Sequence, residues 1–324
     1  MVSRREMLIG GIMTAMQGTS GRNGVARAAA PQPRTKVNFD VPAGSCDCAV
    51  HVFGDPKRYP FWEGRTYTPE TATAEELRRL METLGLDRVV ITQATVYGTD
   101  NSCVLDSVRA LGDIARGIVM IDEKTSEASL EEMHRAGIRG IRLNLRNLGV
   151  TDPSAARRLL QSGIERVKNR NWLIQINTQP GTIEALRDDL MALTIPVAID
   201  HFGGASAPAG LQQPGFRALL DLVKAGKVYV KVSGAELVSA RPDLLSDVAP
   251  FAKALLSANP QRLLWGTQWP HPTAQAVPGR KPTDLALHLP IDDGKMLNLL
   301  AEWVPDAATR RLILVENPAR LYDF

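Results

Sequence analysis

The sequence predicts an α/β protein that folds as a single (β/α)8 TIM barrel. From about residue 46 onward, eight short runs rich in β-branched residues alternate with eight longer amphipathic segments, as in a closed parallel barrel. The chain of 324 residues could hold two average domains, but α/β barrels commonly use such a length as one domain. An open doubly wound sheet is the alternative, and no Gly-x-Gly-x-x-Gly turn follows the first strand to support it.

Each predicted strand is short, and each predicted helix follows an apolar period near 3.6 residues. Thr73 before two glutamates, and Pro153 near a second helix start, are N-terminal helix signals. The predicted strands cover residues 46–53, 88–94, 116–121, 138–145, 172–177, 195–201, 227–233 and 262–267. The predicted helices cover residues 73–85, 101–112, 126–136, 151–170, 181–191, 214–225, 241–258 and 295–314.

The formal net charge of +3 belongs to the first 28 residues. Four of the 38 basic side chains and one of the 35 acidic side chains lie there, so the rest of the chain carries 34 of each sign. A charge-balanced body provides no electrostatic case for binding nucleic acid, and no nucleic-acid partner is expected.

Residues 1–30 have the three parts of a secretory signal peptide. Arg4 and Arg5 resemble a twin-arginine signal, an apolar stretch runs to Met16, and Ala26-Arg27-Ala28 forms a small-x-small end. The apolar stretch is too short to span a bilayer, and we expect no membrane anchor. These features predict export to the periplasm, with residues 31–42 as a linker and 43–324 as the barrel.

Three predicted strands carry polar side chains on one face and apolar side chains on the other. Because helices cover the outside of a barrel, the apolar faces should point outward and the polar faces inward. Barrel interiors are normally filled by branched apolar residues, so polar groups near the ends of these strands predict a site. The alternative is an internal hydrogen-bonded polar core. The inward residues are Arg142, Asn144, Gln175, Asn177, Tyr229, Lys231 and Ser233.

Motifs at the ends of three strands carry a resemblance to a known family. They are Asp47–Gly54 on the first strand, Ile199–His201 at the end of the sixth and Trp265–His271 at the end of the eighth. With further matching stretches in order from about residue 43 onward, they resemble the amidohydrolase superfamily, in particular lactonases of the 2-pyrone-4,6-dicarboxylate lactonase and galactaro-δ-lactone isomerase type. The resemblance implies an enzyme that acts on a small carboxylate-bearing lactone, by hydrolytic ring opening or by intramolecular isomerisation.

The resemblance also bears on a catalytic metal ion. Metal-dependent members hold a divalent cation with a His-x-His on the first strand, histidines after the fifth and sixth, and an aspartate after the eighth. Here Ala49, Asn177 or its neighbour, and Gln268 stand at three of those positions, which leaves His51 and His201. A catalytic zinc site uses at least three protein ligands, and an amide replaces a carboxylate poorly. We therefore predict no metal ion and no other cofactor.

Gln268 stands where the related hydrolases have the aspartate that deprotonates the attacking water, and an amide cannot act as that base. His51 and His201 are the candidate bases, with Asp100 as a third if its loop folds over the barrel mouth. Gln268 can still bind a substrate hydroxyl or carbonyl. A substrate hydroxyl held beside the lactone carbonyl could attack with modest base assistance. Gln268 therefore favours isomerisation, whereas the overall similarity to lactonases favours hydrolysis.

The expected substrate is a small acidic lactone, or a sugar or aromatic acid, so its carboxylate needs a cationic partner. Arg142 is the candidate for bidentate binding. Lys231 could pair a second anionic oxygen or stabilise an oxyanion, or could form an internal ion pair with Glu236 or Asp47. Arg146 is expected at a solvated position. The other expected binding residues are Asn177, Asn144, Tyr67, Thr95, Tyr97 and His271.

A function of a different class remains open from the sequence. Because several family positions are lost, the chain could be a degenerate barrel that binds a small organic acid in the periplasm without turnover. The sequence predicts no particular oligomeric state.

Overall fold

The computed structural model describes residues 29–241, 245–274 and 278–324. Eight parallel strands form one sheet in which every strand pairs with the next along the chain, which confirms the predicted barrel. The strands are Cys46–Val50 (β1), Arg88–Thr92 (β2), Ala115–Val119 (β3), Ile138–Asn144 (β4), Leu173–Asn177 (β5), Val197–Ile199 (β6), Tyr229–Val232 (β7) and Leu263–Trp265 (β8). A separate two-stranded pair joins Thr68–Pro69 to Leu285–Ala286.

Helices surround the sheet, and three of them differ from prediction. The helix predicted over 181–191 is broken at Leu186 into Pro180–Ala185 and Arg187–Ala192. The helix predicted over 241–258 begins at Ala249, with Pro250 in its first turn, and residues 242–244 lie outside the described part. The helix predicted over 295–314 ends at Trp303, before Pro305. The helices are Ala74–Leu84 (α1), Ser102–Leu111 (α2), Glu127–Arg135 (α3), Pro153–Val167 (α4), Pro180–Ala185 (α5), Arg187–Ala192 (α6), Pro214–Lys224 (α7), Ala235–Val238 (α8), Ala249–Ala258 (α9), Asp293–Trp303 (α10), Ala307–Arg311 (α11) and Asn317–Tyr322 (α12).

Backbone hydrogen bonds beyond the end of β8 connect the last strand to the first. The Gln268 N–H donates to the Ala49 carbonyl oxygen at 2.8 Å, and the His51 N–H donates to the Trp269 carbonyl oxygen at 2.9 Å. These two bonds place Gln268 and His51 side by side at the carboxyl end of the barrel.

The barrel interior has an apolar lower half and a polar upper half. The apolar half forms its own buried cluster at the beginnings of the strands, and Tyr322 of α12 inserts into it from below. The alternating outward residues of β4, β5 and β7 belong instead to the large core under the helices. The inner apolar cluster consists of Cys46, Cys48, Val90, Ile118, Leu173, Ala198, Tyr229, Leu264, Leu321 and Tyr322.

Residues 31–42, predicted as a linker, lie against the barrel. The Trp269 indole N–H donates to the Pro31 carbonyl oxygen at 2.7 Å, and the Asp292 carboxylate accepts from the Thr35 hydroxyl at 2.7 Å. Residues 1–28 of the predicted signal peptide lie outside the described residues. Within the described ranges, no helix has the length and apolar character needed to cross a bilayer.

Candidate active site

A cavity of about 430 Å³ opens at the carboxyl ends of the barrel strands, where active sites of this fold lie. Seven of the residues predicted from sequence line it: His51, His201, Gln268, Arg142, Asn177, Tyr67 and Thr95. They come from strands or loops at seven different places in the chain, so the barrel assembles them. The other lining residues are Thr66, Arg146, Asn147, Gln179, Leu237, Pro272 and Ala274.

His51 is held in one tautomer. Its Nδ1 lies 2.7 Å from the Thr92 carbonyl oxygen, and because a carbonyl can only accept, Nδ1 carries the proton. Burial and the nearby Arg142 guanidinium lower the pKa of His51 to about 3. The ring is therefore neutral at pH 7, and its Nε2 lone pair is left as a proton acceptor.

His201 sits in a left-handed turn directly after β6, with φ of 49° at His201 and 53° at Phe202. Its Nδ1 lies 2.9 Å from the Ser233 hydroxyl, which can either donate or accept. Burial lowers the pKa of His201, although Asp200 opposes the change. Unlike the Thr92 carbonyl beside His51, Ser233 permits both neutral tautomers of His201.

Beneath the histidines, Asp200 lies between two cations. Its carboxylate is 3.5 Å from the Arg142 guanidinium and 3.4 Å from the Lys231 ammonium, and it accepts from Gln175 Nε2 at 3.0 Å. Burial raises the pKa of Asp200, but Lys231, His201 and Arg142 outweigh it and lower the pKa to about 2. The floor therefore carries a fixed carboxylate that holds Arg142 in place.

Lys231 does not line the cavity. Its side chain is fully buried below the floor, where Nζ donates to Gln175 Oε1 at 2.7 Å. Its ion-pair partner is Asp200 rather than Glu236 or Asp47, the two partners considered from sequence. The inward orientation predicted for Lys231 is correct, but its place on β7 is one layer too deep for direct contact with a ligand in the cavity.

Asn144 also lies behind the lining rather than in it. Its carboxamide bonds to Thr95 Oγ1 at 3.0 Å and to Asn177 Nδ2 at 3.0 Å, so it connects two residues of the cavity wall.

Asp100 and Tyr97 lie away from the cavity. Asp100 Oδ1 accepts the Ser102 backbone N–H at 3.0 Å at the start of α2, so its loop does not fold over the barrel mouth as the prediction required. The Tyr97 hydroxyl accepts from the Gly54 N–H at 3.0 Å, and the ring packs against Phe53 and Phe61. Both residues have structural partners that sequence spacing could not reveal.

His271 is buried beside the cavity wall between two carboxylates. Its Nδ1 is 3.1 Å from Glu236 and its Nε2 is 2.9 Å from Asp293. Burial alone would lower the pKa of His271, but Asp293 and Glu236 outweigh it and raise the pKa to about 10. His271 is therefore an imidazolium. It connects two segments of the cavity wall, because Leu237 follows Glu236, Pro272 follows His271, and both Leu237 and Pro272 line the cavity.

The structure adds residues that the sequence did not single out. Arg146, expected at a solvated position, lines the cavity, and its guanidinium forms no ion pair with any residue that the structure describes. Asn147 and Gln179 also reach the cavity from the loops after β4 and β5. Asp200 could have been found, because it directly precedes His201 in a family motif, whereas the loop residues carry no periodic signal.

The donor set does not fit the divalent cation of metal-dependent relatives. Among the described residues, no group of three or more His, Cys, Asp or Glu side chains is arranged to hold a metal ion. The Arg142 guanidinium lines the floor with His51 and His201, and its charge lowers the pKa of both rings. A site with two imidazoles and a fixed cation lacks the ligands that zinc requires.

Comparison with known proteins identifies the family of this chain. The model of the family described as amidohydrolase matches residues 46–324. The chain belongs to this amidohydrolase family. It is 34% identical over 305 residues to a 4-sulfomuconolactone hydrolase of Rhizobium radiobacter, with 92% of this chain and 97% of that protein covered.

Two further amidohydrolase relatives match the types expected from the sequence motifs. A 2-pyrone-4,6-dicarboxylate hydrolase of Comamonas testosteroni is 32% identical, with 89% of this chain and 93% of the relative covered. A D-galactarolactone isomerase of Agrobacterium fabrum is 29% identical, with coverages of 89% and 94%. A solved apo structure from Agrobacterium tumefaciens superposes with a TM-score of 0.75 at 29% identity, covering 89% of this chain and 98% of that one.

Proposed function

We propose that this amidohydrolase cleaves or transfers the ester bond of a small lactone that bears a carboxylate. The observation that carries the proposal is the neutral His51 ring, whose Nε2 lone pair lies in a cavity that is floored by Arg142. A base beside a fixed cation suits an anionic ester, and the relatives described above are lactone hydrolases and a lactone isomerase.

Each cavity residue has a role that its bonding permits. Arg142, held by Asp200, and Arg146, which forms no ion pair with another described residue, bind the substrate carboxylate. A bound substrate carboxylate offsets the Arg142 charge that lowers the pKa of His51, and His51 Nε2 then accepts the proton of the attacking O–H group. When Ser233 donates to Nδ1 of His201, the proton of that ring lies on Nε2, from which the neutral ring can donate a hydrogen bond to the carbonyl oxygen. The proton that His51 has accepted then passes to the leaving oxygen, which restores the neutral His51 ring. The Gln268 amide hydrogen-bonds the attacking or leaving oxygen.

Hydrolysis is the first candidate reaction, because the two most similar relatives described above are hydrolases. Isomerisation is the second candidate, because the Gln268 amide lines the cavity and can bind a substrate hydroxyl beside the lactone carbonyl. In both reactions an O–H group attacks the lactone carbonyl. The reactions differ only in whether that group belongs to water or to the substrate.

The test is a proton-release assay with a panel of acidic lactones, combined with NMR of the product. Release of acid with ring opening supports hydrolysis, and exchange of ring size without acid supports isomerisation. His51→Asn should lower the rate of either signal by about 10²–10⁴-fold. His134→Gln is the matched control, because His134 lies on α3 outside the cavity and a glutamine can still accept from the Trp172 indole. Saturable binding without turnover would overturn the proposal in favour of the binding barrel.

We also propose that the reaction needs no bound metal ion, on the basis of the donor set described above. Protein dialysed against a chelator should keep its lactone turnover, and metal analysis of active protein should find less than stoichiometric metal. Loss of activity on chelation, with recovery on adding stoichiometric zinc or manganese, would contradict this proposal.

For localisation we propose twin-arginine export to the periplasm. The support is the three-part sequence of residues 1–30, of which residues 1–28 lie outside the described part. Cell fractionation should find the protein in the periplasm, and replacing Arg4 and Arg5 together by lysine should retain it in the cytoplasm. Unchanged fractionation of that double variant would overturn the assignment.

A further inference from the structure

The orientation of the Asn144 carboxamide is set by the backbone. The Asn147 backbone N–H lies 3.2 Å from Asn144 Oδ1, and because an N–H can only donate, the oxygen of the carboxamide must face it. The same oxygen then accepts from Asn177 Nδ2 at 3.0 Å, and Asn144 Nδ2 must donate to Thr95 Oγ1 at 3.0 Å. A single backbone donor therefore sets the direction of a chain of three side chains.

Two groups at the ends of this chain remain available to a ligand. Asn177 donates to Asn144 Oδ1 through its Nδ2 atom, and no described residue donates a hydrogen bond to Asn177 Oδ1. Thr95 Oγ1 accepts from Asn144 Nδ2, and from Asn147 Nδ2 at 3.3 Å, so its own proton is free to be donated. Both residues line the cavity. The wall thus presents one donor and one acceptor on either side of the same carboxamide.

We propose that Thr95, Asn144 and Asn177 recognise one hydroxyl group of the substrate. A hydroxyl placed between the two free groups would accept from Thr95 Oγ1–H and donate to Asn177 Oδ1. The hydrogen bonds would then run in one direction around a closed ring, through Asn177, Asn144, Thr95 and the ligand. Such a ring is cooperative in a low-dielectric site. A carboxylate, ether or ring carbonyl oxygen cannot close it, because it has no proton to donate to Asn177.

This recognition narrows the substrate class, and it rests on the proposed lactone chemistry. The substrate is a hydroxylated acidic lactone of the sugar-acid type, with its carboxylate on Arg142 and a hydroxyl at Thr95 and Asn177. Unsaturated lactone acids without a hydroxyl leave the two wall groups unpaired. A site built around a substrate hydroxyl discriminates strongly against analogues that lack it, because its polar groups are then buried without partners.

The test compares a sugar-acid lactone with deoxy counterparts, each lacking one hydroxyl, in the wild type and in the variants Thr95→Val and Thr95→Ser. For one deoxy position, wild type and Thr95→Ser should lose about tenfold or more in kcat/KM relative to the parent, the value of one or more hydrogen bonds. Thr95→Val should lose most of that preference, mainly through slower reaction of the parent. The proposal is overturned if the wild type reacts equally fast with the parent lactone and with every deoxy lactone. It is also overturned if Thr95→Val slows the reactions of the parent and of the deoxy lactone by the same factor.

Two further measurements keep the result decisive. Asn177→Leu removes the acceptor and leaves the Asn144 contact with the Asn147 backbone, so it replaces Thr95→Val if that variant does not fold. Calorimetric binding of the open-chain hydroxy acid and its deoxy form tests the recognition without turnover. If the wild type binds the hydroxy acid more tightly than its deoxy form but turns over no lactone, hydroxyl recognition by Thr95 and Asn177 is supported and the proposed reaction is rejected. If the hydroxy and deoxy compounds bind equally tightly and react equally fast, hydroxyl recognition by this wall is rejected.

Discussion

Two regions around the cavity treat a buried histidine in opposite ways. In the cavity floor, His51 lies beside the Arg142 guanidinium, and burial together with this cation lowers the pKa of His51 to about 3. In the adjoining wall, His271 lies between Glu236 and Asp293, which outweigh burial and raise the pKa of His271 to about 10. The two rings have similar burial, so the charge of the neighbours decides whether a histidine serves as a neutral base or as a permanent cation.

The largest expected effect comes from replacing the neutral base. His51→Asn should lower kcat for a reactive lactone by about 10²–10⁴-fold, the usual contribution of a positioned general base. Its free energy of unfolding at pH 7 should change little, because the ring that is removed is uncharged at that pH. A full-activity variant would assign the base to another residue.

The next largest effect is on stability, at the cationic histidine. His271→Leu leaves Glu236 and Asp293 facing each other without a cation and should lower the free energy of unfolding by about 3–5 kcal/mol. Urea denaturation measures this. Asp293→Asn is the matched control, because it keeps the shape and one ion pair and should cost less. If both variants unfold at the wild-type urea concentration, the wall does not depend on this charge cluster.

The pH dependence of stability should separate the two regions. For His271, whose folded pKa of about 10 exceeds the ordinary 6.5, the stabilisation is complete below pH 6.5 and is lost as pH rises toward 10. For His51, whose folded pKa of about 3 is below 6.5, stability is lost as pH falls from 6.5 toward 3. At each pH, the free energy of unfolding of a variant is subtracted from that of the wild type. The difference for His271→Leu should isolate the loss of stability at alkaline pH, and the difference for His51→Asn should isolate the loss at acid pH. A difference that does not vary with pH in either window would contradict the charge assignment.

The smallest predicted effect concerns the tautomer of His201. Ser233→Ala removes one neutral hydrogen bond, worth about 0.5–1.5 kcal/mol, and should lower kcat by up to about tenfold while KM changes little. NMR of ¹⁵N-labelled histidine should show a changed tautomer population for His201 and an unchanged one for His51, which bonds to a backbone carbonyl. Equal tautomer spectra for the variant and wild type would show that Ser233 does not direct the proton.

Strand alternation explains why so much of the barrel was predictable. All eight strands form near their predicted positions, because β-branched runs separated by amphipathic segments leave few other arrangements. The inward orientation of Arg142 and Asn177 followed from the two-residue period of a strand. Helix boundaries were less accurate where proline sets the limit, as at Pro250 and Pro305.

The site was less predictable where depth or loop conformation decides. Lys231 has the correct face but lies below the floor, since alternation gives a side and not a height. Asp100, Tyr97 and Arg146 belong to loops, whose side-chain directions depend on tertiary contacts that no local period encodes. The charge of His271 likewise requires Glu236 and Asp293, which are distant in sequence.

The ends of the described chain limit how the protein can be labelled. The Pro31 carbonyl oxygen contacts Trp269, the residue next to Gln268 of the site, and Tyr322 fills the lower half of the barrel interior. An affinity tag that is separated from Pro31 or Tyr322 by only a few residues would compete with these contacts. The exposed turn at Gly112 and Asp113, which joins α2 to β3 on the face opposite the cavity, is the better place for a fluorophore or an inserted epitope.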